Sequence, residues 1–522
     1  MTRLHFESKV SFPAAVPKRL VLGHKALVAC IVASMILPLL LYLPFLTEPF
    51  EKDEGFYAAV AQLILHGDLP YRDSFDNKPP IVFGWYALSF LLFGEHVWAP
   101  RLLVSMLLSV TTGLIYIQGR LLFSRREALI AAFAFATSIG VIRFHTNANT
   151  EYFMLLPMVA GLLTFTLGMR GGGRWWFFLS GIMHGIAIMT KETSVFNFGF
   201  LMLWAIFPMC RNRALDFKVL TSLSVMAAGC ALAVFAIILP FVLLGAGNEF
   251  FDTAIVYTLQ YVGDRSAAQR ITDMILTAVF PLAVACPWLI LVFFATFRLS
   301  GDRWHWLVFG WLLASEASIL FVGRFYAHYY AILLPGMGLL APLGVRYLKS
   351  QWKRSRLLPV LVMASTIGLA IWFNGPAYMK DSPSDRHLAK FPGDPQAEFE
   401  VQSPDLAAYI ADNTLPGDKI YNLGFQAETY FYADRRSPTK YMFDRPFAVD
   451  NSLLKDALRD LNADKPVLII DSARYEPPGD MYYDRAAVLE FIKANYDYVG
   501  KVYYADVYRL KEEVASGIRS GP

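Results

Sequence analysis

Long apolar segments recur along the first 374 residues, and no other feature of the sequence restricts the fold as strongly. Eleven such segments are 16–27 residues long, about the length that an α-helix needs to cross the hydrocarbon core of a bilayer. They lie at 26–46, 98–123, 129–144, 152–169, 175–190, 195–210, 219–244, 271–297, 304–322, 327–348 and 357–373. The sequence therefore predicts a polytopic α-helical membrane protein with about eleven transmembrane helices.

The basic residues between these segments give the predicted orientation, because Lys and Arg are enriched in cytoplasmic loops. They cluster in alternate connections, as Lys18/Arg19, Arg125/Arg126, Arg170/Arg174, Arg211/Arg213, Arg298/Arg303 and Lys349/Lys353/Arg354/Arg356. Residues 1–25 are then cytoplasmic, whereas the first loop, 47–97, is extracytoplasmic. The apolar stretch Ile81–Phe93 is too short to span, and a further span there would invert the pattern. We predict that it is interfacial or re-entrant.

Composition divides the chain into two parts. It is 56% hydrophobic and only 17% charged, against about 25% charged in a typical soluble domain. Residues 375–522 hold 24 acidic and 18 basic residues, whereas residues 1–374 have a net charge of +10. We therefore predict a membrane domain over 26–374 and a soluble extracytoplasmic domain over 375–522. The basic excess is spread over short loops, which argues against a nucleic-acid partner.

The C-terminal part alternates helical and strand patterns after a linker rich in Pro, Gly and Asp. Helical patterns occupy 406–413, 452–461 and 486–495, and strand patterns occupy 419–423, 466–471 and 498–509. This alternation predicts an α/β domain. All four cysteines lie in apolar runs, so the sequence indicates neither a disulfide framework nor a zinc site.

The loop at 47–80 follows the first apolar segment and is rich in carboxylates. They are Glu48, Glu51, Asp53, Glu54, Asp68, Asp73 and Asp76. Apolar residues from Tyr57 to Leu65 recur at helical spacing and predict a short amphipathic helix on the membrane surface. Carboxylates at its start would complement the helix dipole in any case. Their crowding beside an apolar segment nevertheless favours a functional role, because unpaired charge is costly there.

Four polar clusters fall on the same predicted side of the membrane. They are Asp53/Glu54 with Lys78; Asn147/Asn149/Glu151; Lys191/Glu192; and Arg324/Tyr326/His328/Tyr329. Their cations suit a lipid phosphate, since Arg offers a bidentate fork and Lys a point charge. Alternative explanations are attraction to bulk anionic lipid for the cations, packing for the histidine and an aromatic belt for the tyrosines.

Asp53 suits a general base that removes a proton from an acceptor hydroxyl or amine as it attacks a sugar's anomeric carbon. Glu54 would orient the acceptor or a metal ion. Paired carboxylates are compatible with a divalent metal, but the sequence contains no strong ligand spacing, so a metal cofactor is left open.

Short motifs along the chain resemble those of a known family. They are DEGFYAAVAQLILHGDLPYRDSFDNKPP, FGEHVWAPRL, ANTEYF, TKET and GRFYAHYYAILLPG, in the same order over most of 26–348. With them the chain resembles the GT-C fold membrane glycosyltransferases, and most closely the bacterial relatives of the protein O-mannosyltransferases and of the lipid A aminoarabinose transferase.

The resemblance implies transfer of a monosaccharide, with inversion, from a polyprenyl-phosphate donor at the outer face of the bacterial inner membrane. The residues so assigned are Asp53 and Glu54 for catalysis; Lys78, Lys191, Arg324, His328 and Tyr329 for the donor phosphate; and Tyr57, Asn149 and Glu151 for the acceptor or sugar. TKET replaces the commoner TKG and places Glu192 beside Lys191. The acceptor is a cell-envelope glycan, a lipid or a protein.

Two other functions stay open from the sequence. One is a flippase or transporter of a lipid-linked sugar, which usually shows internal repeats and charges near the bilayer midplane. The other is a ligase or polymerase of lipid-linked oligosaccharide, an enzyme with a longer donor.

Overall fold

The computed structural model is mainly helical before residue 375. It describes residues 23–140, 146–212, 215–263, 266–274, 286–299, 302–351, 361, 364–365, 368, 371–372, 375–475 and 483–519. The principal helices there are His24–Tyr42, Lys52–Leu65, Ile81–Phe93, Trp98–Leu122, Arg125–Ile139, Thr150–Leu167, Arg174–Thr190, Val195–Asn212, Phe217–Leu243, Cys286–Thr296, Arg303–Val322 and Leu334–Gln351. Shorter helices Gly247–Phe251, Thr258–Gly263 and Ala267–Asp273 lie between the ninth and tenth of these.

Seven helical segments among the described residues are long and apolar enough to cross a membrane: His24–Phe45, Trp98–Leu122, Thr150–Gly172, Glu192–Arg211, Phe217–Leu243, Arg303–Val322 and Ala327–Gln351. Three other predicted spans coincide with shorter helices, Arg125–Ile139, Arg174–Thr190 and Cys286–Thr296. Residues 1–22, parts of the predicted spans 129–144 and 271–297, and most of 357–373 lie outside the described residues.

Glycines allow two of the membrane helices to pack backbone against backbone. A Cβ atom on Gly181 of Arg174–Thr190 would lie 1.9 Å from the carbonyl oxygen of Met226, and one on Gly229 of Phe217–Leu243 would lie 2.3 Å from that of Phe178. Helices that lack a hydrophobic drive to associate in lipid use such small residues to approach closely.

The first loop forms the predicted helix at Lys52–Leu65, but protein surrounds it. Residues 54–61 are all buried, with Ile81–Phe93 on one side and Glu428–Ala433 from the C-terminal part on another. The prediction that this helix lies on the membrane surface is therefore wrong for its central turns. The short apolar stretch Ile81–Phe93 forms a helix of 13 residues.

The C-terminal part contains a four-stranded sheet with helices, which confirms the predicted α/β character. Strands β1 (Ile420–Leu423) and β2 (Leu468–Asp471) pair in parallel, β2 pairs antiparallel with β4 (Ala505–Leu510), and β4 pairs antiparallel with β3 (Tyr496–Val502). The helices are Pro383–Lys390, Pro395–Asp412, Glu428–Ala433, Arg445–Val449, Leu453–Ala463, Ala486–Asn495 and Glu512–Arg519.

Strands β1 and β2, the parallel pair, are buried on both faces, as parallel strands usually are. Tyr421, Leu423 and Ile469 pack with side chains of Leu453–Ala463 and Ala486–Asn495. The alternate residues of the same strands point to the other face, where they join the large core that also includes Leu406 and Ile410.

Candidate active site

A cavity of about 260 Å³ lies where the first loop, the ends of several membrane helices and the C-terminal part meet. Seven of the ten predicted site residues line it: Asp53, Tyr57, Lys78, Glu151, Lys191, His328 and Tyr329. They come from segments up to 276 residues apart in the sequence. The polar clusters that the sequence placed on one side of the membrane are therefore close together in space.

Asp53 stands in the first turn of helix Lys52–Leu65, where a capping box fixes the backbone. The Glu51 side chain accepts a hydrogen bond from the Asp53 N–H at 3.1 Å, and the Glu54 side chain accepts one from the Glu51 N–H at 3.2 Å. Such reciprocal bonds satisfy N–H groups that have no partner within the helix. No ion pair engages the Asp53 carboxylate among the residues that the structure describes, so it is available to a ligand in the cavity.

Lys78 approaches the cavity from the loop that precedes helix Ile81–Phe93. The Tyr71 hydroxyl donates to the Lys78 carbonyl oxygen at 2.7 Å, and an Asp76 carboxylate oxygen accepts from the Lys78 N–H at 3.3 Å. Burial raises the pKa of Asp76 to about 6. Burial opposes the charge of Lys78, but the Asp76 and Asp53 carboxylates raise its pKa above the usual value, so this lysine is a cation.

Lys191 and Glu151 form a buried ion pair on another wall. The Lys191 Nζ atom lies 2.6 Å from a Glu151 carboxylate oxygen and 4.2 Å from the centre of the Tyr329 ring. His328 Nε2 lies 3.9 Å from the same Glu151 oxygen. The sequence places Glu192 next to this lysine, but the carboxylate that forms the ion pair in the structure is Glu151.

Three predicted site residues do not line the cavity. Arg324 is buried beneath Tyr261, with its Cζ atom 3.8 Å from the ring centre and its Nη2 donating to the Tyr261 carbonyl oxygen at 3.3 Å. Asn149 is the residue that precedes helix Thr150–Leu167 and is also buried. Glu54 points away from the cavity into the protein.

Glu54 forms a fully buried ion pair with Arg101 of helix Trp98–Leu122. The Arg101 guanidinium donates to both Glu54 oxygens, at 2.9 and 2.5 Å. One of these oxygens also accepts from the Ala148 N–H at 2.7 Å. Burial would raise the pKa of Glu54, but Arg101 and the Ala148 N–H lower it below the usual value. The pair thus joins the first loop, a membrane helix and the second loop.

Arg101 is a residue that our sequence reasoning missed. Its guanidinium also donates to the carbonyl oxygens of Phe45, Glu48 and Pro49 at 2.6–3.1 Å. The sequence did indicate that Arg101 is important, because a charged side chain inside an apolar helix of 25 residues is energetically costly and is usually functional.

The C-terminal part contributes cavity residues that the sequence analysis also missed. They are Phe391, Asp394, Glu400, Phe425, Phe443 and Arg445. A buried network lies behind them: Lys390 donates to Glu48 at 2.7 Å and to Asn147 at 2.8 Å, and His387 Nε2 lies 2.7 Å from Glu400. The two Lys390 contacts join residues 342 and 243 positions apart, which no local pattern in the sequence pairs.

The described residues contain no group of three or more His, Cys, Asp or Glu side chains that could hold a metal ion. The cavity instead combines carboxylates with Lys52, Lys78, Lys191 and Arg445. An unpaired carboxylate beside cations can accept a proton from one group while an anionic group is held nearby.

Comparison with known proteins identifies the fold. The family model for dolichyl-phosphate-mannose-protein mannosyltransferases matches residues 77–244, which include Lys78, Glu151 and Lys191. No protein of curated function matches the chain in sequence.

Solved structures match over nearly the whole chain. ArnT from Cupriavidus metallidurans bound to undecaprenyl phosphate is 15% identical, with a TM-score of 0.62 over 96% of this chain and 100% of that one. Its apo state gives 0.61 at 14% identity over 95% and 99%. An Archaeoglobus fulgidus oligosaccharyltransferase in complex with Zn and sulfate gives 0.52 at 13% identity over 85% and 67%. The predicted resemblance is confirmed: the chain has the GT-C fold and resembles ArnT and the protein mannosyltransferases.

Proposed function

We propose that the protein is a membrane glycosyltransferase that moves a monosaccharide from a polyprenyl-phosphate donor to an acceptor outside the cytoplasm. The observation that carries the proposal is the single cavity that collects Asp53, Lys78 and the Lys191–Glu151 pair. ArnT, which has the same fold, is bound to undecaprenyl phosphate in its crystal structure. That ligand supports the choice of donor lipid.

Asp53 acts as the general base. The acceptor's hydroxyl or amine attacks the anomeric carbon and gives its proton to the Asp53 carboxylate, while the bond between that carbon and the phosphate oxygen breaks. Attack opposite the leaving group inverts the anomeric centre. Proton removal of this kind contributes about 10²–10⁴-fold to a rate.

The cations stabilise the leaving group. The sugar-linked phosphate carries one negative charge and the departing polyprenyl phosphate carries up to two, so a fixed cation gains attraction as the bond breaks. Lys78 is assigned this role, because no carboxylate forms an ion pair with its ammonium group among the described residues. Lys191 is neutralised by Glu151, so the two together with His328 and Tyr329 are assigned to contacts with the phosphate and the sugar.

Three predicted roles change under this proposal, those of Glu54, Arg324 and Asn149. Glu54, held by Arg101, positions the helix that carries Asp53. Arg324 acts through Tyr261, whose ring it contacts. Asn149 orients the second loop, and Tyr57 borders the space for the acceptor or sugar.

The test is turnover by the purified protein with undecaprenyl-phosphate-linked hexoses and pentoses, scored as release of undecaprenyl phosphate. The acceptor is first identified by mass spectrometry of envelope glycans, lipids and proteins from a strain that lacks the protein. We expect Asp53→Asn to lower turnover at least 100-fold while donor binding is kept, because the amide fits the same space.

Asp73→Asn is the matched control, since Asp73 lies in the same loop, pairs with Arg72 and does not line the cavity. Full turnover by Asp53→Asn would disprove the assignment of the base. Translocation of the donor by the wild-type protein in sealed vesicles, with no release of undecaprenyl phosphate, would favour the flippase alternative.

A further inference from the structure

Arg445 is the basic residue that the C-terminal part places in the wall of the cavity. It begins the short helix Arg445–Val449, and the residue before it is anchored: the Tyr483 hydroxyl donates to the Asp444 carboxylate at 2.6 Å, and the Asp444 N–H donates to the Gly424 carbonyl oxygen at 3.1 Å. The sheet domain therefore fixes the position of the Arg445 backbone.

The side chain of Arg445 reaches across to the membrane part, where it contacts tyrosines. Its Nη2 donates to the Tyr261 hydroxyl at 2.9 Å, its Cζ lies 4.9 Å from the centre of that ring, and its charge interacts with the Tyr326 phenol. Arg324 contacts the same Tyr261 ring. Arg445 of the C-terminal part and Arg324 of the membrane part thus contact the same tyrosine, which lines the cavity.

The Arg445 guanidinium brings positive charge to this end of the cavity. No carboxylate lies within 4 Å of the Arg445 guanidinium among the described residues, and the Lys78 charge interacts with Tyr261 as well. A partly buried cation without a carboxylate partner is costly, and an anionic ligand would lower that cost. A planar guanidinium matches the oxygens of a phosphate better than any other side chain.

We propose that Arg445 binds the phosphate of the lipid-linked donor together with Lys78, so that the C-terminal domain completes the donor site. This inference rests on the proposed function. A bound donor then also ties the C-terminal domain to the membrane part through the two tyrosines. A purely structural Arg445 would hold the two parts together equally well with or without phosphate.

The experiment compares undecaprenyl phosphate with undecaprenol, which has the same tail and no phosphate. Binding of each is measured to the full-length protein in phosphatidylcholine nanodiscs, which contain no anionic lipid. We expect Arg445→Gln to raise the Kd for undecaprenyl phosphate about 10-fold, or about 1.4 kcal/mol, and to leave undecaprenol binding unchanged. Arg459→Gln is the control, because Arg459 is exposed and pairs with Asp456 outside the cavity.

A second pair of variants covers the case in which Arg445→Gln does not fold. Arg445→Lys keeps the charge and Arg445→Met keeps only an aliphatic stem, so the lysine variant should bind undecaprenyl phosphate more tightly; equal affinities overturn the inference. An unchanged Kd in Arg445→Gln, or an equal loss for both lipids, also overturns it and leaves the proposed function standing. A wild-type protein that does not prefer the phosphate lipid over the alcohol overturns both.

Discussion

Two adjacent carboxylates, Asp53 and Glu54, have opposite surroundings. Asp53 borders the cavity, whereas Glu54 is fully buried against Arg101. Removing one partner of a buried ion pair leaves a charge without compensation and costs about 3–5 kcal/mol. The Glu54–Arg101 pair therefore holds Asp53 at its place, and substitutions of Glu54 report on stability before they report on chemistry.

Glu400 and His387 give the protein a pH dependence at the residue scale. Burial raises the pKa of Glu400 to about 8 and lowers that of His387 to about 3. Because His387 stays neutral in the folded state, it lowers the free energy of unfolding only as the pH falls below about 6.5, the pKa of a histidine in the unfolded chain. Glu400 keeps a proton in the folded state that the unfolded chain loses above about pH 4.5, so stability falls as the pH rises towards 8.

Between pH 6.5 and 8 the contribution of Glu400 to stability changes, while that of His387 stays nearly constant. We expect the free energy of unfolding to fall by about 2 kcal/mol over this range. Glu400→Gln should flatten this dependence, because the amide accepts from the Lys52 N–H as the acid does and does not titrate. The measurement is the thermal unfolding midpoint in detergent at both pH values. Glu398→Gln, an exposed position on the same helix, should keep the wild-type slope; an unchanged slope in Glu400→Gln would contradict the assignment.

At the scale of elements, the contact between helices Lys52–Leu65 and Glu428–Ala433 joins the two parts of the chain. The contact depends on Gly55, since a Cβ atom there would lie 2.3 Å from the Glu428 Cβ and 2.9 Å from its Cα. Backbone and Cβ atoms cannot move aside as the end of a flexible side chain can. The helix of the C-terminal part would have to shift.

Gly55→Ala should therefore destabilise the protein by about 1–3 kcal/mol through overpacking, although alanine is the better helix former. We expect a lower unfolding midpoint and faster proteolytic cleavage of the C-terminal domain from the membrane part. Gly84→Ala is the matched control, because it is also a helical glycine and has no atom within 4 Å of the added Cβ. Equal effects of the two substitutions would contradict this account of the contact.

Local patterns predicted the elements well. The helix over Ala486–Asn495 has the predicted bounds, and β1 and β2 begin within two residues of the predicted strands, because apolar alternation and helical spacing are properties of neighbouring residues. The burial of Lys52–Leu65 was not predictable in this way. Part of its burial is due to Glu428–Ala433, more than 350 positions later in the chain, and its own amphipathic pattern is also that of a membrane-surface helix.

At the scale of the whole molecule, the sequence predicted which groups meet because all of them lie at the same end of their spans. Seven of ten assigned residues line one cavity for that reason. Arg445 and Glu400 were missed because they lie in the C-terminal part, whose contact with the cavity follows from the fold and not from a local pattern. Of these three missed residues, only Arg101 was predictable from the sequence, because it is a charged residue in an apolar helix.

The same architecture makes a prediction about sidedness. Helix Trp98–Leu122 has 25 residues and is about 37 Å long, enough to cross the bilayer, whereas Ile81–Phe93 has 13 and is about 20 Å long. His66 and Arg125, which are both exposed, should therefore lie on opposite sides. Leu415, 70% exposed, should share the side of His66, because its domain contacts the helix that His66 follows.

The measurement uses single cysteines at these three positions, with Cys30, Cys210, Cys230 and Cys286 replaced by serine. Since basic loops stay in the cytoplasm, we expect an impermeant maleimide to label His66→Cys and Leu415→Cys in bacterial spheroplasts, and Arg125→Cys only after the membrane is opened. Labelling of His66→Cys and Arg125→Cys from one side would mean that Ile81–Phe93 also crosses the bilayer. If both were labelled only after the membrane is opened, the cavity would keep its geometry but face the cytoplasm, which would contradict an extracytoplasmic acceptor.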